Sequence, residues 1–166
     1  FDNSVVLLCS HGDEGAMGLI INKLAPGVVL KSLFDQLEIE TRPAAGHTPV
    51  YFGGPVETQR GFVLHSDEYI STVNSLPIKP GVSMTATLDV LEEIAEGRGP
   101  EQYLVMLGYA GWGPGQLEDE IAQNGWLTAD AQPEMIFTDT ADDKWEAALA
   151  SIGVTPLNLS MDAGHA

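Results

Sequence analysis

The longest apolar runs in this chain, Val5 to Cys9 and Met17 to Ile21, have the length of a β-strand and no more. They and their shorter neighbours are separated by turn-forming residues drawn from 18 glycines and 10 prolines. A membrane-crossing helix needs roughly 20 consecutive apolar residues, and no run approaches that. The chain does have the means to build a core. With 44% hydrophobic residues over 166 positions it is too apolar for a disordered segment and the right size for one domain, expected to span residues 1–166.

Hydrophobic periodicity sets the expected elements. Ser4 to Cys9 and Ala16 to Asn22 read as strands, with His11 to Gly15 as turn material between them. Leu30, Leu33, Phe34 and Leu37 mark one face of a short helix. Two further strands fit Val50 to Phe52 and Gly61 to His65, and the stretch Tyr69 to Thr87 reads as irregular strands with an edge or bend at Pro77 and Pro80. Thr87 is placed to cap a helix over Leu88 to Glu96, closed by Gly97. Gln102 to Leu107 reads as a buried strand, Gly108 to Gly115 as a glycine-rich loop, and Pro114 to Asn124 as a helix burying Leu117 and Ile121. Trp126 to Ala129 and Glu134 to Phe137 are strand candidates. Thr140 precedes a last helix with Trp145, Ala148, Leu149 and Ile152 on its inner face. The irregular mixture predicts an α+β fold, not a doubly wound sheet.

Charge decides what the surface excludes. The chain carries 24 acidic and 7 basic residues, a formal net charge of −17. Lys23, Lys31, Arg42, Arg60, Lys79, Arg98 and Lys144 are scattered singly, whereas a nucleic-acid binder clusters its cations. The same negative field repels anionic lipid, so neither nucleic acid nor membrane is an expected partner. Cys9 is the only cysteine, which precludes an internal disulfide and makes the cytoplasm the expected location.

Two segments carry chemical potential. Gly108, Tyr109, Gly111, Trp112 and Gly113 lie between a strand and a helix, where free N–H groups can cradle an anion. Pro114 lacks an N–H, no lysine follows, and Glu118, Asp119 and Glu120 repel phosphate, which leaves two readings. Either the glycines let the chain turn around Tyr109 and Trp112, or an uncharged ligand stacks on both rings. In Cys9-Ser10-His11, residues two apart on a strand share a face, so a protonated His11 would favour the Cys9 thiolate. The competing reading is a small apolar residue at the end of a core strand. Gly53-Gly54-Pro55 reads as a tight turn or bulge. Asp13 with Glu14 reads as a solvated loop tip, and Asp142 with Asp143 as charge favouring a helix start. His11, His47, His65 and His165 lack paired-ligand spacing, so no metal or other cofactor is assigned.

Five segments in order, His11-Gly-Asp-Glu-Gly-Ala-Met-Gly-Leu-Ile-Ile-Asn22, Tyr51-Phe-Gly-Gly-Pro-Val56, Arg60-Gly-Phe-Val-Leu-His65, Leu107-Gly-Tyr-Ala-Gly-Trp-Gly-Pro-Gly-Gln-Leu-Glu118 and Gly164-His-Ala166, resemble the bacterial YqgE/AlgH family. The resemblance implies a cytosolic domain whose bent, forked mixed sheet curls into a pseudo-barrel flanked by helices, with one family strand falling upstream of Phe1. It implies no established activity; the AlgH name comes from a proposed role in regulating alginate synthesis. The expected function is a regulatory or binding module acting through a small ligand or protein partner. The alternative is a thiol-dependent enzyme or redox-responsive protein using Cys9 with His11.

Overall fold

The computed structural model describes residues 3–40, 46, 48–69, 75–137 and 140–154. Among these, eight strands form one mixed sheet: β1 (Val6–Gly12), β2 (Gly15–Ile20), β3 (Leu24–Val29), β4 (Pro49–Phe52), β5 (Val56–His65), β6 (Ser75–Lys79), β7 (Val82–Thr85) and β8 (Tyr103–Trp112). Five helices accompany them: α1 (Leu30–Gln36), α2 (Leu88–Ala95), α3 (Gln116–Ala122), α4 (Pro133–Phe137) and α5 (Ala141–Ser151). The class is α+β, as the sequence predicts. His47, His165 and the terminal segment Gly164 to Ala166 lie outside the described residues.

The strand order is β1-β2-β8-β5-β7-β6, and β8 is the spine. One edge of β8 pairs with β5, from Tyr103 opposite His65 to Tyr109 opposite Val56. Its other edge serves two strands in succession. β4 runs parallel beside Val105–Leu107, and β2 then runs antiparallel beside Ala110–Trp112. This handover is the fork of the sheet.

Glycine makes the fork possible. Gly53 donates its N–H to the Leu107 carbonyl at 2.7 Å and accepts from the Ile20 N–H at 2.8 Å. A Cβ on Gly108 would lie 2.2 Å from the Gly54 carbonyl oxygen, and one on Gly54 would lie 2.1 Å from the Tyr109 carbonyl carbon. Gly108 also takes φ 76°, which side chains disfavour. The Gly53–Gly54 pair thus brings backbone against backbone where two strands exchange one partner.

The sheet curls until its end strands, β1 and β6, approach each other, giving a nearly closed barrel. Side-chain alternation then sorts residues between the inside and the outside. Leu104 and Met106 of β8 face the interior with Leu7, Leu19, Phe62, Leu64 and Met84. Val105 faces outward, where α1 and α2 cover it with Leu33, Phe34, Leu91 and Ile94. A third cluster, Ala110, Trp112 and Leu117, lies beneath α3. Each fully buried aliphatic side chain contributes about 1.5–3 kcal/mol, so these two-sided strands anchor the molecule.

Several expectations are corrected. Gly108 to Gly115 is not a loop as a whole, because β8 continues through Gly108 to Trp112. β3, which contains Pro26 and Gly27, is a strand that periodicity did not reveal; it pairs only at Leu24 and Val29. Trp126 to Ala129 lies outside regular structure. Glu134 to Phe137 is helical, since Pro133 fits a first helical position and Glu134 places negative charge in the first turn. Thr87 and Thr140 stand at N-cap positions, but their hydroxyls donate to Asp89 and Asp143 instead of meeting backbone N–H groups. Ile121 and Ile152 are exposed. On α5 the buried residues are Leu149 and, unforeseen, Lys144, which donates to the Ile21 carbonyl at 2.9 Å and sits over the Tyr51 ring.

Candidate functional site

The interior face of the barrel opens to solvent in a groove of about 690 Å³ across β2, β8 and β5. Met17, Phe62, Met84 and Tyr109, which belong to or pack against the interior cluster, form its apolar wall, and Ser10, Glu14, Val56 and Arg60 stand around it. Four of the segments that carry the family resemblance therefore meet here. Two smaller clefts, about 400 and 310 Å³, flank residues 126–131 along β1. The first has no titratable residue among its described lining. In the second the charged residues are Asp130 and Lys79, and Lys79 donates to the Ala131 carbonyl. Of these three, the groove alone is lined by an arginine, and it joins that charge to the Phe62 and Tyr109 rings of the interior face.

Its polar wall is built on a break in β5. The β5–β8 register shifts between Val56 and Gly61, and Glu57 takes a left-handed φ of 47°. That break brings Glu57 within hydrogen-bond reach of the Tyr109 hydroxyl and 3.6 Å from the Arg60 guanidinium. Arg60 lies 5.2 Å from the centre of the Phe62 ring, and Phe62 meets Tyr109 edge to face at 5.9 Å. Desolvation and then the bond to Glu57 raise the Tyr109 phenol above its usual range, while Arg60 opposes them. Tyr109 is thus a hydroxyl donor, not a phenolate, at neutral pH.

Tyr109 and Trp112 do not form one stacking platform. Residues three apart on a strand face opposite ways. Tyr109 belongs with the interior cluster, whereas the buried Trp112 ring packs edge to face against Trp126 at 5.9 Å beneath α3. Glu120 secures that corner. Its carboxylate accepts from Trp126 at 2.8 Å, Gln116 at 3.0 Å and Trp112 at 3.1 Å, which holds it below the usual carboxylate range. Gly113 donates to the Gln116 side chain, and Gly111 borders the groove.

Cys9 and His11 are separated by a bulge. Leu8 pairs with Gly18 and Ser10 with Met17, so Cys9 is the extra residue on β1. Such an insertion reverses the alternation beyond it. Cys9 packs against the interior cluster, while His11, opposite Ala16, turns toward α3 and meets Glu118 at 3.0 Å. The shared face expected from sequence is lost. Burial pushes the Cys9 thiol up to about 12, with no contribution from the imidazole. Its sulfur is 3.5 Å from the Leu7 carbonyl, and it is not among the groove-lining residues. The hydrogen bond from His11 chiefly lowers the Glu118 carboxyl.

Sequence reasoning missed one further constellation. His65 Nδ1 donates to the Ser66 carbonyl at 3.0 Å, Nε2 lies 2.8 Å from the Thr85 hydroxyl, and Ser75 joins Thr85 at 2.8 Å. A hydroxyl, an imidazole and an orienting carbonyl resemble nucleophile chemistry. Both His65 and Thr85 are fully buried, however, which closes the group to substrate and makes it a satisfied polar core. Only strand pairing unites these residues. Among the described residues no group of three or more His, Cys, Asp or Glu side chains is placed to hold a metal. No helix there is long and apolar enough to cross a membrane.

Comparison with known proteins gives a consistent match. The AlgH-like family, DUF179, matches residues 1–157. A UPF0301 protein of Ruegeria pomeroyi is 56% identical over all of this chain and 90% of its own length. A UPF0301 protein of Paraburkholderia phymatum is 49% identical, covering all of this chain and 87% of the relative. The solution structure of the AlgH protein from Pseudomonas aeruginosa superposes with a TM-score of 0.81 at 41% identity, over 98% of this chain and 86% of that one. A crystal structure from Corynebacterium diphtheriae, 22% identical, shares the fold at a TM-score of 0.71.

Proposed function

The chain belongs to the AlgH-like family, and from that premise we propose that it is a cytosolic regulatory or binding module that seats a small ligand or a segment of a protein partner in the barrel-mouth groove. The single observation that carries this reading is the composition of the groove. An apolar wall of Met17, Phe62 and Met84 stands beside the polar residues Arg60 and Tyr109, which Glu57 orients, the usual division of labour in a recognition site. The set lacks an activated nucleophile, and the Cys9 thiol beside it is held protonated at neutral pH.

Any regulatory effect is then exerted without direct DNA contact, because among the described residues Arg60 is the one cation lining the groove and the molecule around it is strongly negative. The test is native mass spectrometry of the protein purified from its own host, followed by hydrogen exchange. A retained species that protects the amides of residues 10–17 and 109–112 is expected. Finding no retained species and no protection there would refute the groove, and salt-sensitive retention of duplex DNA by the isolated protein would refute the indirect mode.

A further inference from the structure

Resting on the groove reading, we propose that the occupant is an extended segment of a partner protein that presents a basic side chain between apolar ones. The groove already displays the contacts such a side chain would use. Arg60, supplied by the chain itself, lies over the Phe62 ring and beside the Glu57 carboxylate, in the position an incoming arginine or lysine would seek. Arg60 is about half exposed, so its contact is one an incoming cation can share or displace. Glu14 stands exposed on the opposite rim and makes no ion pair or hydrogen bond with the described residues, leaving a second carboxylate open to the partner.

Charge selects the sign of the occupant. The charged residues that line the groove are Glu14 and Arg60, and Glu57 pairs with Arg60 and offsets its charge, which leaves Glu14 and a chain at −17 to repel an anionic segment both locally and at long range. Shape selects its class. The groove is wide and open across three strands, and Met17 and Met84 give it an adaptable apolar surface of the kind that accepts peptide side chains. Val56, an exposed apolar residue at its edge, extends that surface for a flanking apolar side chain.

The experiment is a fluorescence-anisotropy titration of the intact protein with a short labelled peptide of alternating leucine and arginine, against the same peptide with glutamate for arginine. Backbone NMR shifts locate the binding. The arginine peptide should bind and perturb residues 14–17, 56–62 and 109–112, and the glutamate peptide should not. Glu57→Gln and Glu14→Gln should each weaken binding, together by about tenfold. Asp142→Asn and Glu134→Gln, on α5 and α4, control for diffuse charge and should leave it unchanged. Thermal melting confirms that the variants fold. Equal loss from the α4 and α5 variants, or perturbation away from the groove, overturns the proposal. A host-derived anionic ligand in the groove overturns it while leaving the groove reading intact. Failure of every occupant to perturb the groove refutes both.

Discussion

A thiol at about 12 supplies almost no thiolate at neutral pH, and that follows from one inserted residue in β1. Because the bulge turns His11 toward Glu118, the imidazole cannot offset the desolvation of the sulfur. Alkylation of folded wild-type protein by iodoacetamide at neutral pH should run at least about a hundredfold slower than at a free thiol with a pKa near 8.5. His11→Ala should leave that rate unchanged. A rate like that of an ordinary thiol, or one that falls in the mutant, would return Cys9 to the functional site. The raised value has a stability consequence of defined sign. The contribution of the protonated thiol is present below the ordinary value of 9.0 and is lost as pH rises toward 12. At this scale the sequence disclosed residue types and concealed their facing. Cys9, Tyr109 and Trp112 were visible as candidates, but two-residue arithmetic fails wherever a bulge intervenes. Nothing local in the sequence pairs Glu57 with Arg60, because their meeting depends on such a break.

Elements were legible where one periodicity dominated. The helix over α2 shows buried positions Leu91, Ile94 and Ala95 and the closing glycine, Gly97 at φ 80°, with no help from the rest of the fold. β8 was readable only to Leu107. Beyond it, glycines that looked like loop residues serve a crossing between distant strands, which no local window contains. The distinction is measurable by substitution. Gly115 takes φ 74° with open space around its would-be Cβ, so Gly115→Ala should cost only the conformational penalty, about 1–2 kcal/mol. Gly108→Ala meets a similar angle and also a clash at 2.2 Å with the Gly54 backbone, so it should cost about 3 kcal/mol or more. Chemical denaturation of the two variants checks this; equal losses would show that the fork relaxes and that its glycines are there for conformation alone.

At the scale of the molecule, sequence and structure agree on a sheet-and-helix architecture, and the net charge of −17 carried by the sequence governs how it responds to salt. The described ion pairs, Lys31 with Asp35, Arg60 with Glu57 and Arg98 with Glu96, all lie at exposed positions. Exposed pairs contribute about 0–1 kcal/mol each, and screening weakens them. Against them stands a net charge of −17 on a chain expected to have a radius of gyration of roughly 15 Å. At 0.01 M ionic strength the screening length is about 30 Å, so every carboxylate feels the others across the whole body; at 0.15 M it is about 8 Å, and only near neighbours interact. Unfolding separates the charges, so relief of repulsion outweighs loss of the exposed pairs, and added salt stabilises the folded chain. For a domain of this size about 1 kcal/mol moves Tm by roughly 2–4 °C. Tm should therefore rise by at least about 4 °C between 0.01 M and 0.15 M sodium chloride, as differential scanning calorimetry would read it. A flat or falling Tm would mean that the ion pairs outweigh the net repulsion.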